Sequence, residues 1–128
     1  MHPITVLVVD SNHIFAHIAA QLLQEAFPEL VADVWVAQGV PDALQQARDQ
    51  RPQHILVDLM LVSDPSIALI AQLRTLLPGV QVIAMSLFDT IYAQRAAFAA
   101  GADVCIAKAA LHTDFERAVY QSTPRKPS

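Results

Sequence analysis

The sequence predicts an α/β protein built on a doubly wound, five-stranded parallel sheet, a three-layer (βα)5 sandwich. Four runs are rich in Val, Ile and Leu and lack polar alternation, which is typical of strands buried on both faces: TVLVVD, HILVD, VIAMS and VCIAK. A fifth run, LVADVWVA, alternates weakly and also predicts a strand. Segments with helical spacing separate these runs, and such regular alternation implies right-handed crossovers with helices on both sheet faces.

Apolar residues at offsets of three and four predict the first two helices, and prolines mark their limits. The first helix ends at Pro28, and its predicted packing face consists of Phe15, Ile18, Ala19, Leu22 and Ala26. Pro41 suits the first turn of the second helix, and Pro52 marks its end. The predicted apolar side of this second helix consists of Val40, Leu44 and Ala47.

Three more helices are predicted in the second half of the chain. The third follows the loop MLVSDPS and ends at Pro78-Gly79, with an apolar stripe formed by Ile67, Ile70, Leu73 and Leu77. The fourth begins near Asp89-Thr90 and ends at Gly101, a residue that tolerates the left-handed cap conformation. Thr113 and Glu116 form a capping-box pattern that predicts the start of the last helix. Its predicted packing residues are Phe115, Ala118 and Val119.

Length and composition limit the possible functions. A chain of 128 residues that is 54% hydrophobic fits one domain with its own core. A net charge of −4, without a Lys/Arg cluster, argues against direct binding to nucleic acid or an anionic membrane. One cysteine excludes an internal disulfide, and the N-terminus lacks the pattern of an export signal or membrane span, so we expect a cytoplasmic location.

Polar residues stand where the four buried runs end: Asp10, Asp58, Ser86 and Lys108. Because the carboxyl ends of parallel strands share one edge, where ligands of such sheets bind, we expect these side chains to converge. Two carboxylates, a hydroxyl and an ammonium suit a divalent cation and a transferable phosphoryl group. The sequence therefore predicts a phosphoryl-handling site at this edge.

These segments resemble the receiver domain of bacterial two-component response regulators over residues 4–122. VLVVDSNHIF is similar to the family's first strand and acidic loop, ILVDL to its phospho-acceptor strand, VIAMSLFD to its fourth strand and GADVCIAK to its fifth. The resemblance implies a flavodoxin-like, CheY-like fold. The segments LFD after Ser86 and KAA at Lys108 most resemble the LuxR/NarL-type subfamily, whose receivers precede a helix-turn-helix DNA-binding domain.

The resemblance also implies a role for each site residue. Asp58 accepts a phosphoryl group from a sensor histidine kinase, Lys108 pairs with a phosphoryl oxygen, and Ser86 moves inward to bind another. Asp10, Asp58 and the main-chain carbonyl of Met60 would hold Mg²⁺. Enzymatic activity would at most be self-phosphorylation and autodephosphorylation of the aspartate.

Two departures from the family leave the function open between two alternatives. Ser11 stands where a second acidic residue usually ligates the metal, so this ligand is weak or lost. Cys105 replaces the aromatic residue that usually moves with the switch hydroxyl. The chain is therefore expected to be a phosphorylated receiver that controls transcription, or a phosphorylation-independent pseudo-receiver that acts as an interaction module.

Other classes fit the residues less well. Three glycines and no glycine-rich loop argue against a nucleotide- or flavin-binding domain. An aspartate-nucleophile phosphatase would need an acid at the position of Met60. The predicted receiver spans residues 1–122, and residues 123–128 read as a linker or tail. DNA contact would come only through an output domain outside this chain, and a homodimer through surfaces flanking Ser86 and Lys108 is a further expectation.

Overall fold

The computed structural model describes residues 2–64 and 68–122 as alternating strands and helices. The strands are β1 (Ile4–Val9), β2 (Val31–Ala37), β3 (His54–Asp58), β4 (Gln81–Ser86) and β5 (Val104–Ala107). The helices are α1 (His13–Ala26), α2 (Val40–Gln50), α3 (Leu59–Val62), α4 (Leu69–Leu76), α5 (Ile91–Ala99) and α6 (Leu111–Ser122). A 3₁₀ turn, Lys108–Ala110, joins β5 to α6. None of the described helices is long and apolar enough to span a membrane.

The five strands form one parallel sheet in the order β2-β1-β3-β4-β5, which confirms the predicted fold class. This strand order is that of flavodoxin-like sheets. Because successive strand residues point to opposite faces, each inner strand contributes to two cores. Val6 and Val8 pack with α1 and α6 on one face, whereas Leu7 and Val9 pack with α2, α4 and α5 on the other. The molecule therefore has the predicted three layers.

Several predicted helix boundaries are confirmed by the capping residues. The Thr90 hydroxyl accepts a hydrogen bond from the N–H of Ala93 at 3.1 Å, so α5 begins at Ile91, next to the predicted start. After α5, Gly101 has a φ of 101°, a left-handed conformation that residues with a Cβ atom rarely adopt. Pro41 lies in the first turn of α2, as predicted.

The predicted packing face of α1 is partly wrong. The buried residues of α1 are Ala16, Ala19 and Leu23, whereas Ile18 is 58% exposed. Apolar residues therefore also lie on the solvent side of this helix, since Ile14 is exposed as well. Periodicity alone therefore could not identify which of two adjacent apolar stripes faces the sheet.

Two further predictions are corrected by the local structure. Thr113 does not cap α6 but lies inside its first turn, with its hydroxyl donating to the Ala110 carbonyl at 3.1 Å. The helix begins at Leu111 because the 3₁₀ turn leads directly into it and buries that residue. The segment predicted as the loop MLVSDPS begins inside the short helix α3, which ends at Val62. The predicted stripe residue Ile67 lies outside the described residues.

Candidate functional site

The sheet places the four polar residues at its carboxyl edge. Asp10 directly follows β1, Asp58 ends β3, Ser86 ends β4, and Lys108 directly follows β5. Three of them are almost completely buried, with Asp10 at 0%, Asp58 at 6% and Ser86 at 4% exposure. Buried polar groups are costly unless they are paired or serve a function. This edge is therefore the candidate functional site.

Lys108 brings the two carboxylates together. Its Nζ lies 2.6 Å from Oδ2 of Asp10 and 3.7 Å from Oδ1 of Asp58. The Lys108 side chain is only 11% exposed, so the attraction is screened less than that of a surface ion pair. The ammonium is thus shared between both acids and lies closer to Asp10.

Backbone N–H groups orient both carboxylates. The N–H of Asn12 donates to Oδ1 of Asp10 at 2.8 Å, and the N–H of Met60 donates to Oδ1 of Asp58 at 3.2 Å. Both bonds arise where the chain leaves a strand and starts a helix, because the first N–H groups there have no partner within the helix. The backbone that follows each strand therefore helps to orient its acid.

The pKa of Asp58 is raised above its ordinary value. Burial is the main cause, and the neighbouring Asp10 carboxyl raises the pKa further through its charge and hydrogen bonding. The Met60 N–H and the Lys108 ammonium act in the opposite direction without cancelling these effects. The folded protein therefore holds a proton on Asp58 at a higher pH than an isolated aspartate would.

The site offers oxygen ligands of the kind that Mg²⁺ binds. Oδ2 of Asp10 is buried, and no donor in the described part of the chain meets it in hydrogen-bond geometry, although the Lys108 ammonium is close. Within residues 2–64 and 68–122, no three His, Cys, Asp or Glu side chains are grouped as metal ligands. Mg²⁺ commonly takes one or two carboxylates and completes its shell with water. Asp10 and Asp58, with the carbonyl of Met60, fit this pattern, whereas Ser11 is exposed and adds no charge.

Ser86 is close along the edge but is bonded to its own loop. Its hydroxyl donates to the carbonyl of Phe88 and accepts from the N–H of Phe88, the latter at 3.0 Å. Ser86 is register-paired with Ala107, the residue that precedes Lys108. The hydroxyl is therefore next to the site, while its two hydrogen bonds hold it in the turn after β4.

One contact at the site was not predicted from the sequence. Lys108 Nζ lies 4.6 Å from the ring centroid of Phe15, a half-buried residue of α1 that periodicity identified only as a packing residue. Cys105, on β5, is half-buried and its pKa is raised, mainly by burial and also by Asp89. Its thiol is therefore not activated as a nucleophile.

Comparison with known proteins gives consistent matches. The family model described as response regulator receiver domain matches residues 6–120. The probable transcriptional regulatory protein TcrX of Mycobacterium tuberculosis is 29% identical over 107 residues, which are 83% of this chain and 44% of TcrX. The chain thus spans less than half the length of this relative.

Solved structures agree with this match. A response regulator from Burkholderia pseudomallei with a phosphorylated aspartic acid, calcium ion and citrate is 30% identical, with a TM-score of 0.65 over 91% of this chain and 71% of that one. A LuxR-family response regulator from Aurantimonas is 18% identical, with a TM-score of 0.76 over 93% of this chain and 84% of that one. The second likeness concerns the fold alone.

Proposed function

We propose, from the premise that this chain belongs to the response regulator receiver domain family, that Asp58 accepts a phosphoryl group from a sensor histidine kinase. The observation that carries the proposal is the buried cluster in which Lys108 Nζ lies within 4 Å of both Asp10 and Asp58. A receiver needs an aspartate that is accessible to phosphorus and a cation beside it. Of the two buried acids, Asp58 fits this role better, since its side chain keeps 9% exposure against 0% for Asp10, and the Lys108 ammonium lies beside it.

The reaction requires little covalent chemistry from the protein. A carboxylate oxygen of Asp58 attacks phosphorus, the P–N bond of the phosphohistidine breaks, and its electron pair returns to the imidazole, which takes up a proton. The product is an acyl phosphate, and water later cleaves its P–O bond to restore the carboxylate. Enzymatic activity is thus limited to self-phosphorylation and autodephosphorylation.

Each neighbouring residue has a proposed part. Mg²⁺, when bound, screens the phosphoryl charge. Asp10, Asp58 and the Met60 carbonyl would hold it, and the exposed Ser11 would contribute little, so we expect weak binding. Lys108 pairs with a phosphoryl oxygen because its ammonium already lies 3.7 Å from Asp58.

We propose that Ser86 transmits the signal by exchanging partners. Its hydroxyl leaves the backbone of Phe88 and bonds a phosphoryl oxygen, which releases the loop before α5. Cys105 has no ring to move with it, so the signal passes through this loop rather than through position 105. This exchange would shift the equilibrium between two arrangements of the loop before α5.

The proposed output is control of transcription in the cytoplasm. The relative TcrX is described as a probable transcriptional regulatory protein, and this chain covers 44% of it. We propose that DNA is bound only by an output domain outside this chain, and that phosphorylation favours a homodimer through surfaces beside Ser86 and Lys108. The predicted linker 123–128 lies outside the described residues.

Intact-mass measurement with acetyl phosphate tests the phosphoryl transfer. Over a Mg²⁺ series, the wild-type chain and a control variant at an exposed acid, Asp33→Asn, are expected to gain one phosphoryl group. Asp58→Asn is expected to gain none. Equal labelling of Asp58→Asn would contradict the assignment of the acceptor.

The second candidate is a phosphorylation-independent pseudo-receiver. It is favoured by the ion pair of Asp10 with Lys108, because the ammonium already neutralises a carboxylate that Mg²⁺ would need. Complete absence of labelling at saturating Mg²⁺, in a protein that remains folded, would support this candidate over the first.

A further inference from the structure

Among the described residues, two carboxylates and an aromatic ring lie around the ammonium of Lys108. Nζ lies 2.6 Å from Asp10, 3.7 Å from Asp58 and 4.6 Å from the centroid of Phe15. A cation within about 6 Å of a ring centroid is attracted by the ring's electron-rich face, and more strongly when water is excluded. Since the Lys108 side chain is 11% exposed, the contact with Phe15 is largely desolvated.

A backbone hydrogen bond connects Phe15 to the same loop that orients Asp10. Asn12 donates its N–H to Asp10 at 2.8 Å, and the side-chain oxygen of Asn12 accepts the N–H of Phe15 at 3.0 Å. This link makes Asn12 the N-cap of α1 and Phe15 a residue of its first turn. Phe15 and Asp10 therefore keep a set relative position, with the ammonium in contact with both.

The ammonium lies near the oxygen that a metal would need. Oδ2 of Asp10 is the carboxylate oxygen that does not accept the Asn12 N–H, and it lies 2.6 Å from the Lys108 ammonium. With Ser11 in place of a second acid, Asp10 and Asp58 supply two negative charges and Lys108 supplies one positive charge. A divalent cation must therefore compete with the ammonium for Asp10.

We propose that Phe15 is a positioning residue, whose ring holds Lys108 against Asp10 and so makes the ammonium a built-in competitor of Mg²⁺. The inference rests on the proposed function, because it concerns the regulation of the same site. Phe15 sets the Mg²⁺ concentration at which Lys108 is released from Asp10 and becomes available to a phosphoryl group.

Two substitutions at Phe15 distinguish the effect of the aromatic ring from the effect of side-chain size. Phe15→Leu keeps an apolar side chain and removes the ring, whereas Phe15→Tyr keeps the ring. The readout is the Mg²⁺ dependence of the backbone amide NMR signals of Asn12 and Met60, whose N–H groups contact the two carboxylates. We expect Phe15→Leu to bind Mg²⁺ about three- to tenfold more tightly than the wild type, and Phe15→Tyr to match the wild type.

A double-mutant cycle with Lys108→Met shows whether the ring acts through the ammonium. In the Lys108→Met background, replacing Phe15 by Leu is expected to leave Mg²⁺ affinity unchanged. Urea unfolding of every variant identifies a loss of folding. If Phe15→Leu is unstable, a second pair repeats the comparison: Phe15→Met removes the ring and Phe15→Trp keeps an aromatic ring.

Three outcomes would overturn the inference: unchanged affinity in Phe15→Leu, equal tightening in Phe15→Tyr, or no Mg²⁺ response in any variant. None of these depends on phosphoryl transfer, because Mg²⁺ binding is measured without a phosphoryl donor. Failure of the proposed function would instead appear as absent labelling of Asp58. The two failures are therefore distinguishable.

Discussion

Asp10 and Lys108 form a 2.6 Å ion pair in which the acid is completely buried and the lysine side chain is 11% exposed. A buried pair of this kind has lost most of its hydration, so its two charges depend on each other. The Asp58 carboxylate lies 3.7 Å from the same ammonium. The stability of the site therefore depends strongly on Lys108.

Lys108→Met is expected to lower the free energy of unfolding by about 3 kcal/mol at neutral pH, because it leaves two buried carboxylates without their cation. Urea unfolding measures this loss. The matched control is Arg117→Met, which breaks the exposed 3.2 Å pair with Asp114 and should cost less than about 0.5 kcal/mol. Equal losses in the two variants would contradict the dependence on Lys108.

Ser11→Asp is expected to tighten Mg²⁺ binding by on the order of tenfold or more, because it adds a carboxylate beside Asp10. Calorimetric titration with Mg²⁺ measures the change. Ser11→Asn, which is similar in size but uncharged, should leave the affinity close to that of the wild type. An unchanged affinity in Ser11→Asp would show that position 11 does not face the metal.

The site edge was predictable because it depends on few features of the sequence. Runs without polar alternation identify buried parallel strands, and the polar residue at each run's end must then lie at the carboxyl edge, whatever the helices do. Asp10, Asp58, Ser86 and Lys108 lie there in the structure. Their chemical roles stay predictions.

Features that depend on how helices rotate against the sheet were not predictable. In α1, Ile18 is exposed and Ala16 is buried, although the apolar pattern favoured Ile18. The contact of Phe15 with Lys108 depends on that rotation and on a lysine more than 90 residues away. Thr113 matched a capping box, but burial of Leu111 starts α6 earlier. Tertiary packing thus overrode local sequence signals.

Ser86→Ala is expected to free the backbone of Phe88, because the hydroxyl bonds both the carbonyl and the N–H of that residue. The amide of Phe88 should exchange with solvent faster, and the free energy of unfolding should fall by about 1 kcal/mol. Hydrogen exchange followed by NMR measures the first effect and urea unfolding the second. Ser86→Thr retains a hydroxyl and should protect the amide; slow exchange in Ser86→Ala would show that the turn holds without the hydroxyl.

His54, the first residue of β3, is expected to make stability depend on pH. Burial lowers the pKa of His54, and the Val119 carbonyl and the Asp103 charge oppose this effect without cancelling it. The unfolded chain takes up the proton near pH 6.5, whereas the folded protein does so only at lower pH. Between these two values the unfolded state binds more protons, so the free energy of unfolding falls as the pH falls.

His54→Gln removes this titration and should flatten the pH dependence of unfolding below about pH 6.5. Urea unfolding at a series of pH values measures the slope. His17→Gln, at an exposed position of α1, is the matched control and should retain the slope of the wild type. If both variants kept the same slope, the loss of stability in acid would have to come from groups other than His54. Because His54 is only 5% exposed, protonation in the folded state requires local opening of the sheet's amino edge or a charged imidazole within the core.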